Sequence, residues 1–340
     1  MGDAGFGGAW TRRDFLGASL GCAAHAALAL AGGAAVTRRA FGATSRHSKI
    51  VAQEPWGRLE RIADGVWALV STPVPGSRDP LVWRTLSNGG IIAGRDAVLA
   101  VEGLFTPEGA AWLSDAALEL TGRRPTHVVL THYHADHANG TAGYRHGAEP
   151  LEVWATAETR RLLLEGELRA TADAERSLRG LLLPDARIAA GPEPTTIDLG
   201  GRVVRIRSYS GHTTSDVSIE LEDPHVVWCG DLVWNGIVPN YVDAIPTRLG
   251  ASMRALLERR ATVYVPGHGG TADAAGLAPY VSLLDDIEAA ARRAIEQGIP
   301  AAQAAESYRP PAALGEWVMF SPAYWRVAFE AWERELRATP

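Results

Sequence analysis

The chain has 340 residues, of which 46% are hydrophobic and 21% are charged, and its formal net charge is −6. These proportions are close to the average for soluble globular proteins and allow a sizeable core. Charges of both signs are scattered along the sequence without a basic stripe, which argues against nucleic acid as a partner. After the N-terminus there is no long uncharged apolar stretch, which argues against a multi-spanning membrane protein.

The first 36 residues predict an export signal. Residues 11–16 (TRRDFL) place two arginines directly before an apolar run that extends to about Ala35. This segment resembles a twin-arginine signal peptide, and a chance arginine pair before a helix is the alternative. The run is rich in Ala and Gly, so we expect no stable membrane span after the signal is removed. The resemblance implies a periplasmic or secreted protein that is exported already folded.

Cysteine usage fits this interpretation. Of the two cysteines, Cys22 lies in the predicted signal, which leaves Cys229 alone in the mature chain. An intramolecular disulfide is therefore not expected, and stability must come from core burial and bound metal. Cys229 stands in an apolar strand, where a small buried hydrophobe is the favoured interpretation.

The N-terminal half of the mature chain predicts strands and one well-capped helix. Residues 37–55 are polar and basic and predict a flexible leader. Strands are then expected over 65–70 and 97–102, a turn followed by a strand within 87–94, and a short apolar strand over 127–130. A helix is expected from residue 106 to about 120, because Thr106 suits the N-cap, Pro107 suits the first turn and Gly122 can end the helix.

The rest of the chain alternates strands and helices and then becomes helical. The expected strands are 151–155, a hairpin over 197–206, then 217–221, 226–230 and 262–266. The expected helices are 156 to about 183, 247–260, 277–297 and two more between 301 and 338. This order predicts an α/β fold with two sheets covered by helices. We expect a catalytic domain over 56–275 and a C-terminal helical extension over 276–340.

A cluster of metal-ligand side chains directly follows the strand at 127–130. Its sequence is His132-Tyr133-His134-Ala135-Asp136-His137. On an extended backbone alternate side chains point the same way, so His132 and His134 can reach one metal ion. Asp136 and His137 fall on the following turn, where they can face a neighbouring position. Imidazole nitrogen and carboxylate oxygen suit a zinc-like divalent ion, and a surface loop without a ligand is the alternative.

The pattern His-x-His-x-Asp-His resembles the signature of the metallo-β-lactamase superfamily. Later motifs of that family follow in order, as residues 211–213 (GHT), 230–231 (GD) and 266–269 (PGHG). Residues 87–90 (SNGG) and 101–103 (VEG) also resemble the opening of the family, although many members have Asp where Glu102 stands. The resemblance covers residues from about 60 to about 275. It implies a four-layer αββα sandwich, here with the C-terminal helical extension.

The resemblance also implies a two-metal site and a role for each ligand. Its first position would be held by His132, His134 and His212, and its second by Asp136, His137 and His268, with Asp231 bridging them. Two zinc ions are expected, with iron or manganese as alternatives. They would share a hydroxide that attacks the substrate, and Asp136 would orient this nucleophile as the catalytic residue. A two-iron redox variant of the family usually has Glu in place of His134, which argues against that variant.

These features predict an exported metal-dependent hydrolase that cleaves an ester, thioester, lactone or β-lactam-like amide bond of a small molecule. The alternative is a redox or sulfur-handling metalloprotein of the same fold, with one iron, similar to persulfide dioxygenases. The intact ligand set argues against a non-catalytic binding protein. Trp234 and Tyr241 flank the loop after Asp231 and are candidates for a substrate wall, with core packing as the alternative. The sequence carries no signal for the oligomeric state.

Overall fold

The structure is a computed structural model that describes residues 49–71, 84–167 and 186–338. The predicted signal peptide over 1–36 and most of the predicted leader lie outside these residues. So does the second part of the helix that was expected to reach about residue 183. Within the three described segments, no helix combines the length and apolar character needed to cross a membrane.

The first sheet of the described residues has seven strands that are neighbours in sequence order. Adjacent strands are antiparallel from β1 to β5, and the last three strands are parallel. The strands are β1 (Lys49–Glu54), β2 (Gly57–Ala63), β3 (Val66–Ser71), β4 (Gly89–Ala93), β5 (Val98–Val101), β6 (His127–Val129) and β7 (Glu152–Trp154).

Strand β1 departs from the sequence expectation, which placed its residues in the flexible leader over 37–55. It pairs with β2 in antiparallel fashion, from Lys49 opposite Arg61 to Glu54 opposite Gly57. Its side chains remain largely outside the core, and even Ile50 is 39% exposed. Backbone pairing at the edge of the sheet forms this strand, so its sequence lacks the apolar alternation by which a half-buried strand is recognised.

Three helices accompany the first sheet: α1 (Pro107–Thr121), α2 (Ala135–Ala138) and α3 (Ala157–Glu167). The capping predicted for α1 is confirmed. The Thr106 hydroxyl accepts a hydrogen bond from the backbone N–H of Gly109. At the other end, Gly122 adopts a left-handed conformation with φ 76° and donates its N–H to the carbonyl of Leu118.

The second sheet of the described residues has five strands in the order β12-β11-β10-β9-β8. The pairs from β8 to β11 are antiparallel, and β12 runs parallel to β11. The strands are β8 (Thr195–Asp198), β9 (Val203–Tyr209), β10 (Asp216–Glu222), β11 (His225–Trp234) and β12 (Val263–His268). The helices of this half are α4 (Pro246–Glu258), α5 (Ala274–Glu296), α6 (Ala301–Ser307) and α7 (Tyr324–Ala338).

Strand alternation divides the buried side chains of the described residues into three apolar layers. In β5, Val98 and Ala100 pack with α1, whereas Leu99 and Val101 pack between the two sheets. A third layer lies between the second sheet and helices α4 to α7. Helices, sheet, sheet and helices therefore follow one another, which confirms the predicted αββα architecture. The C-terminal helices complete the outer layer over the second sheet.

Candidate metal centre

The seven predicted ligands meet between the two sheets, at the ends of strands. Four follow β6 directly or lie in the short helix α2: His132, His134, Asp136 and His137. The other three come from the second half of the chain. His212 lies between β9 and β10, Asp231 lies within β11, and His268 is the last residue of β12. All are buried except His134, which is partly exposed.

One group of ligand atoms consists of His132, His134, His212 and Asp231, all within 4.8 Å of one another. His212 Nε2 lies 2.9 Å from His134 Nδ1 and 3.3 Å from Asp231 Oδ2. His132 Nε2 lies 3.9 Å from the same Asp231 oxygen. These residues are the predicted first position together with the predicted bridging aspartate.

A second group consists of Asp136, His137 and His268. Asp136 Oδ2 lies 3.2 Å from His268 Nε2 and 3.6 Å from His137 Nε2. The other oxygen of Asp231, Oδ1, lies 3.1 Å from His137 Nε2. The two oxygens of Asp231 thus face different groups, which is the geometry expected of a bridging carboxylate.

Whether these atoms already have hydrogen-bond partners tests whether the residues are suited to bind metal ions. In the part of the chain that the structure describes, five buried side-chain atoms of the predicted ligands make no hydrogen bond: the Nε2 atoms of His132, His137 and His268, His212 Nδ1 and Asp231 Oδ1. Leaving one such buried group without a partner costs about 1–3 kcal/mol. A cluster of unpaired imidazole nitrogens around carboxylates is instead a donor set for divalent ions such as zinc. The residues therefore fit two metal ions.

Two glycines let the backbone bring Asp231 into this cluster. Gly230 has φ 52°, a left-handed conformation that favours glycine, and the pairing of β11 with β12 is irregular on both sides of it. A Cβ atom on Gly267 would overlap with Asp231 Oδ1. The sequence predicted that β11 ends at Asp231, and in the structure the strand continues to Trp234. The aspartate is thus held within a strand, which restricts its position.

Glu102 orients His137 through a hydrogen bond to its Nδ1 atom. Its Oε1 lies 2.8 Å from His137 Nδ1, on the side of the ring opposite to Nε2, which faces Asp231. The same carboxylate accepts hydrogen bonds from the backbone N–H and the hydroxyl of Thr131, at 3.1 and 2.5 Å. A carboxylate on Nδ1 keeps the proton there and leaves the lone pair of Nε2 for a metal. Sequence reasoning noted Glu102 as part of a family motif but gave it no role.

Asp243 contacts His134 in the same way, on the ring nitrogen that faces away from the ligand groups. This residue was not identified from the sequence. Its Oδ2 lies 2.9 Å from His134 Nε2 and accepts a hydrogen bond from the Tyr133 hydroxyl at 2.5 Å. Partial desolvation opposes ionisation of Asp243, but the interactions with His134 and Tyr133 outweigh it and lower the pKa of this carboxyl to about 2. The one sequence feature that could have pointed to Asp243 is that it is an acidic residue on the loop after Asp231.

The aromatic candidates for a substrate wall lie in the core. Trp234 and Tyr241 are each 1% exposed. The Trp234 ring lies 4.1 Å from the ring of His268, and its Nε1 donates a hydrogen bond to the Asp231 carbonyl. The Phe320 ring lies 5.9 Å from Trp234 and 5.6 Å from His268. Core packing, the alternative, is therefore confirmed, and the C-terminal segment contributes to it.

Cys229 takes no part in either group of ligands. It is fully buried in the apolar layer between β11 and the C-terminal helices. Burial raises the pKa of its thiol well above the ordinary value, so the residue behaves as a small neutral hydrophobe, as the sequence predicted. Asp231, two residues further along, lies in the first group of ligand atoms instead, because the pairing of β11 with β12 is irregular on both sides of Gly230.

The fold and this donor set define a metal-binding protein of the αββα class. Residues 82–268, more than half of the chain, match the model of the Metallo-beta-lactamase superfamily. The chain belongs to this superfamily.

Two proteins of similar sequence are hydroxyacylglutathione hydrolases. The first, from Acidiphilium cryptum, is 30% identical over 238 residues, which is 68% of this chain and 82% of the relative. The second, from Parasynechococcus marenigrum, is 28% identical over 153 residues, which is 43% of this chain and 51% of the relative. The chain thus spans most of one relative and about half of the other. Both relatives are hydrolases by name.

Two solved structures have the same fold. A metallo-β-lactamase from Erythrobacter litoralis matches with a TM-score of 0.54 at 20% identity, covering 70% of this chain and all of that one. A mono-zinc metallo-β-lactamase from Pseudomonas aeruginosa matches with a TM-score of 0.53 at 20% identity, covering 68% and 95%. At this identity the likeness shows the fold alone.

Proposed function

We propose that this chain is a zinc-dependent hydrolase that cleaves an acyl bond of a small molecule, namely an ester, thioester, lactone or β-lactam-like amide. The observation that carries the proposal is the convergence of the seven predicted ligands, five of whose buried side-chain atoms make no hydrogen bond. Two divalent ions bound there would supply a water-derived nucleophile near neutral pH and stabilise negative charge on the acyl oxygen.

Asp136 is the residue that we expect to act on the nucleophile. Burial opposes its ionisation, but the neighbouring His137 and His268 outweigh this effect and hold the pKa of Asp136 below its ordinary value. The carboxylate is therefore available as a hydrogen-bond acceptor at neutral pH. Its Oδ2 faces the centre of the site, where it would orient a water molecule and hold the proton that the water loses.

The similarity to hydroxyacylglutathione hydrolase makes an acyl thioester the first substrate class to test. The alternative is a one-iron redox enzyme of the same fold. Against it stand the two complete groups of ligands, which give each of two metal positions its own histidines.

The test combines metal analysis with a panel of chromogenic thioester, lactone, ester, β-lactam and phosphodiester substrates. We expect about two zinc ions per chain, turnover of at least one acyl substrate, and loss of turnover after chelation that added zinc reverses. His134→Ala should reduce turnover by roughly 1000-fold or more, since it removes a ligand of the activating metal. His146→Ala is the control, because His146 contacts Arg124 away from the site.

Two results would contradict the proposed function. One is a single iron per chain together with oxygen consumption, which would support the redox alternative. The other is acyl hydrolysis that survives in His134→Ala at the wild-type rate, which would show that the activity does not depend on this site.

We also propose that residues 1–36 direct export through the twin-arginine route, which the segment TRRDFL supports. Replacing both Arg12 and Arg13 by lysine should keep the protein in the cytoplasmic fraction of expressing cells. The wild-type chain should appear in the periplasmic fraction or the medium. Equal distribution of the two forms would contradict the export proposal without affecting the hydrolase proposal.

A further inference from the structure

His134 is the most exposed of the proposed ligands, and its ring is held from outside the site. Its side chain is 16% exposed, whereas those of His132, His137, His212 and His268 are at most 3% exposed. Its Nδ1 faces the first group of ligand atoms, 2.9 Å from His212 Nε2. Its other nitrogen, Nε2, faces outward and meets Asp243. Packing alone therefore fixes this ring less than the others.

The tautomer of His134 decides whether it can bind metal. A neutral imidazole carries one proton, and a metal at Nδ1 requires that this proton sit on Nε2. The Asp243 carboxylate, 2.9 Å from Nε2, accepts a hydrogen bond only from the protonated nitrogen. It therefore selects the tautomer with a free lone pair on Nδ1 and fixes the angle of the ring about its bond to Cβ.

Tyr133 holds Asp243 in place. The Tyr133 hydroxyl donates to the same oxygen, Oδ2, that meets His134. Asp243 itself is 41% exposed, so the surrounding side chains do not enclose it. Since Tyr133 lies between His132 and His134 in the chain, its hydrogen bond joins the carboxylate to the backbone segment that presents both ligands.

The loop that carries Asp243 is fixed at both ends. Near its start, the N–H of Val238 donates to the carbonyl of Val318 at 2.8 Å, and the N–H of Val318 donates to the carbonyl of Gly236 at 3.1 Å. Near its end, the N–H of Ile245 donates to the carbonyl of Gly211 at 2.9 Å, directly before His212. The C-terminal segment and the His212 loop thus both set the position of Asp243.

We propose that Asp243 is a positioning residue for the first metal position, where it fixes the tautomer and orientation of His134, and that Tyr133 acts through Asp243. This inference rests on the metal site of the proposed function. It assigns a role to the loop over 235–245 and to the C-terminal segment that holds this loop.

The test is reconstitution of the metal-free chain with cobalt(II), followed by absorption spectroscopy and chelator competition. Asp243→Ala should raise the dissociation constant of the first position by ten- to a hundredfold and alter its cobalt spectrum, as is typical when the partner of a ligating histidine is removed. Tyr133→Phe should have a smaller effect in the same direction. The double variant should be no weaker than Asp243→Ala, because Tyr133 acts through the carboxylate. Asp115→Asn is the matched control, since Asp115 is an exposed aspartate paired with Arg124 away from the site.

The outcomes separate this inference from the proposed function. If the wild-type chain binds two cobalt ions and Asp243→Ala binds both with unchanged affinity and spectrum, the role of Asp243 is overturned while the metal site stands. If Tyr133→Phe weakens binding further on top of Asp243→Ala, the route through Asp243 is overturned. A wild-type chain that binds no cobalt contradicts the proposed function itself.

Discussion

Two carboxylates orient histidines on the two sides of the site, and they differ in their surroundings. Glu102, at the end of β5, is 2% exposed and supports the fully buried His137. Asp243, on the loop before α4, is 41% exposed and supports the partly exposed His134. The carboxylate–imidazole distances are almost equal, at 2.8 and 2.9 Å. Both carboxylates meet the imidazole nitrogen that faces away from the ligand groups, which is Nδ1 in His137 and Nε2 in His134, but the two pairs differ in burial.

This difference predicts which carboxylate the fold needs. Glu102 accepts from His137 and from two groups of Thr131, all in the interior, so its loss leaves buried donors without an acceptor. Asp243 lies where water can replace it, and an exposed pair contributes little to stability. We infer that Glu102 serves both folding and metal binding, whereas Asp243 serves metal binding alone.

Glu102→Gln gives the largest expected effect on stability. The amide keeps the volume of the side chain but offers one acceptor oxygen where the carboxylate offers two. We expect a loss of about 3 kcal/mol in the free energy of unfolding, from buried donors that lose their acceptor. Asp243→Asn should change it by less than about 1 kcal/mol. Urea denaturation of the metal-free proteins measures both values under identical conditions.

The control for this pair is Glu119→Gln, which removes an exposed carboxylate from α1 and should leave the urea midpoint unchanged. Equal destabilisation by Glu102→Gln and Asp243→Asn would show that burial does not separate the two carboxylates. A stable Glu102→Gln protein that binds cobalt normally would remove the proposed double role of Glu102.

The residues proposed as ligands could be singled out from the sequence because each belongs to a short motif, and the structure brings them together. His132 to His137 are contiguous, and Asp231 and His268 each follow a glycine in or at the end of an apolar strand. The supporting carboxylates have no such local pattern. Glu102 is 35 residues from His137, and Asp243 is 109 residues from His134. Such pairs form only when the sheets are assembled, so a single sequence does not reveal them.

In the fold as well, features set by neighbouring residues could be predicted, and features set by tertiary packing could not. Most strands and the caps of α1 follow from apolar alternation and capping residues, which act over a few positions. Strand β1 was missed because its side chains stay outside the core. Trp234 was placed among candidates for a substrate wall because its distance from Asp231 is short, but the direction of its side chain depends on packing against His268.

Asn88→Ala gives a smaller effect and tests how the two halves of the site are joined. Asn88 directly precedes β4 of the first sheet. Its Nδ2 donates to the carbonyls of Pro266 and Gly269, at 2.8 and 2.7 Å, which lie on either side of His268 in the sequence. Its Oδ1 accepts from the N–H of Ser71. Alanine would leave these buried backbone groups unpaired, so we expect a loss of about 2 kcal/mol in the free energy of unfolding.

The same variant should act on the second metal position, because the loop that Asn88 holds carries His268. Cobalt titration should show several-fold weaker binding there, with the first position and its His134 spectrum unchanged. That result is the reverse of the one expected for Asp243→Ala. If both variants weakened the same position, the two metal positions would not be supported separately, and the distinction between a buried and an exposed support would fail.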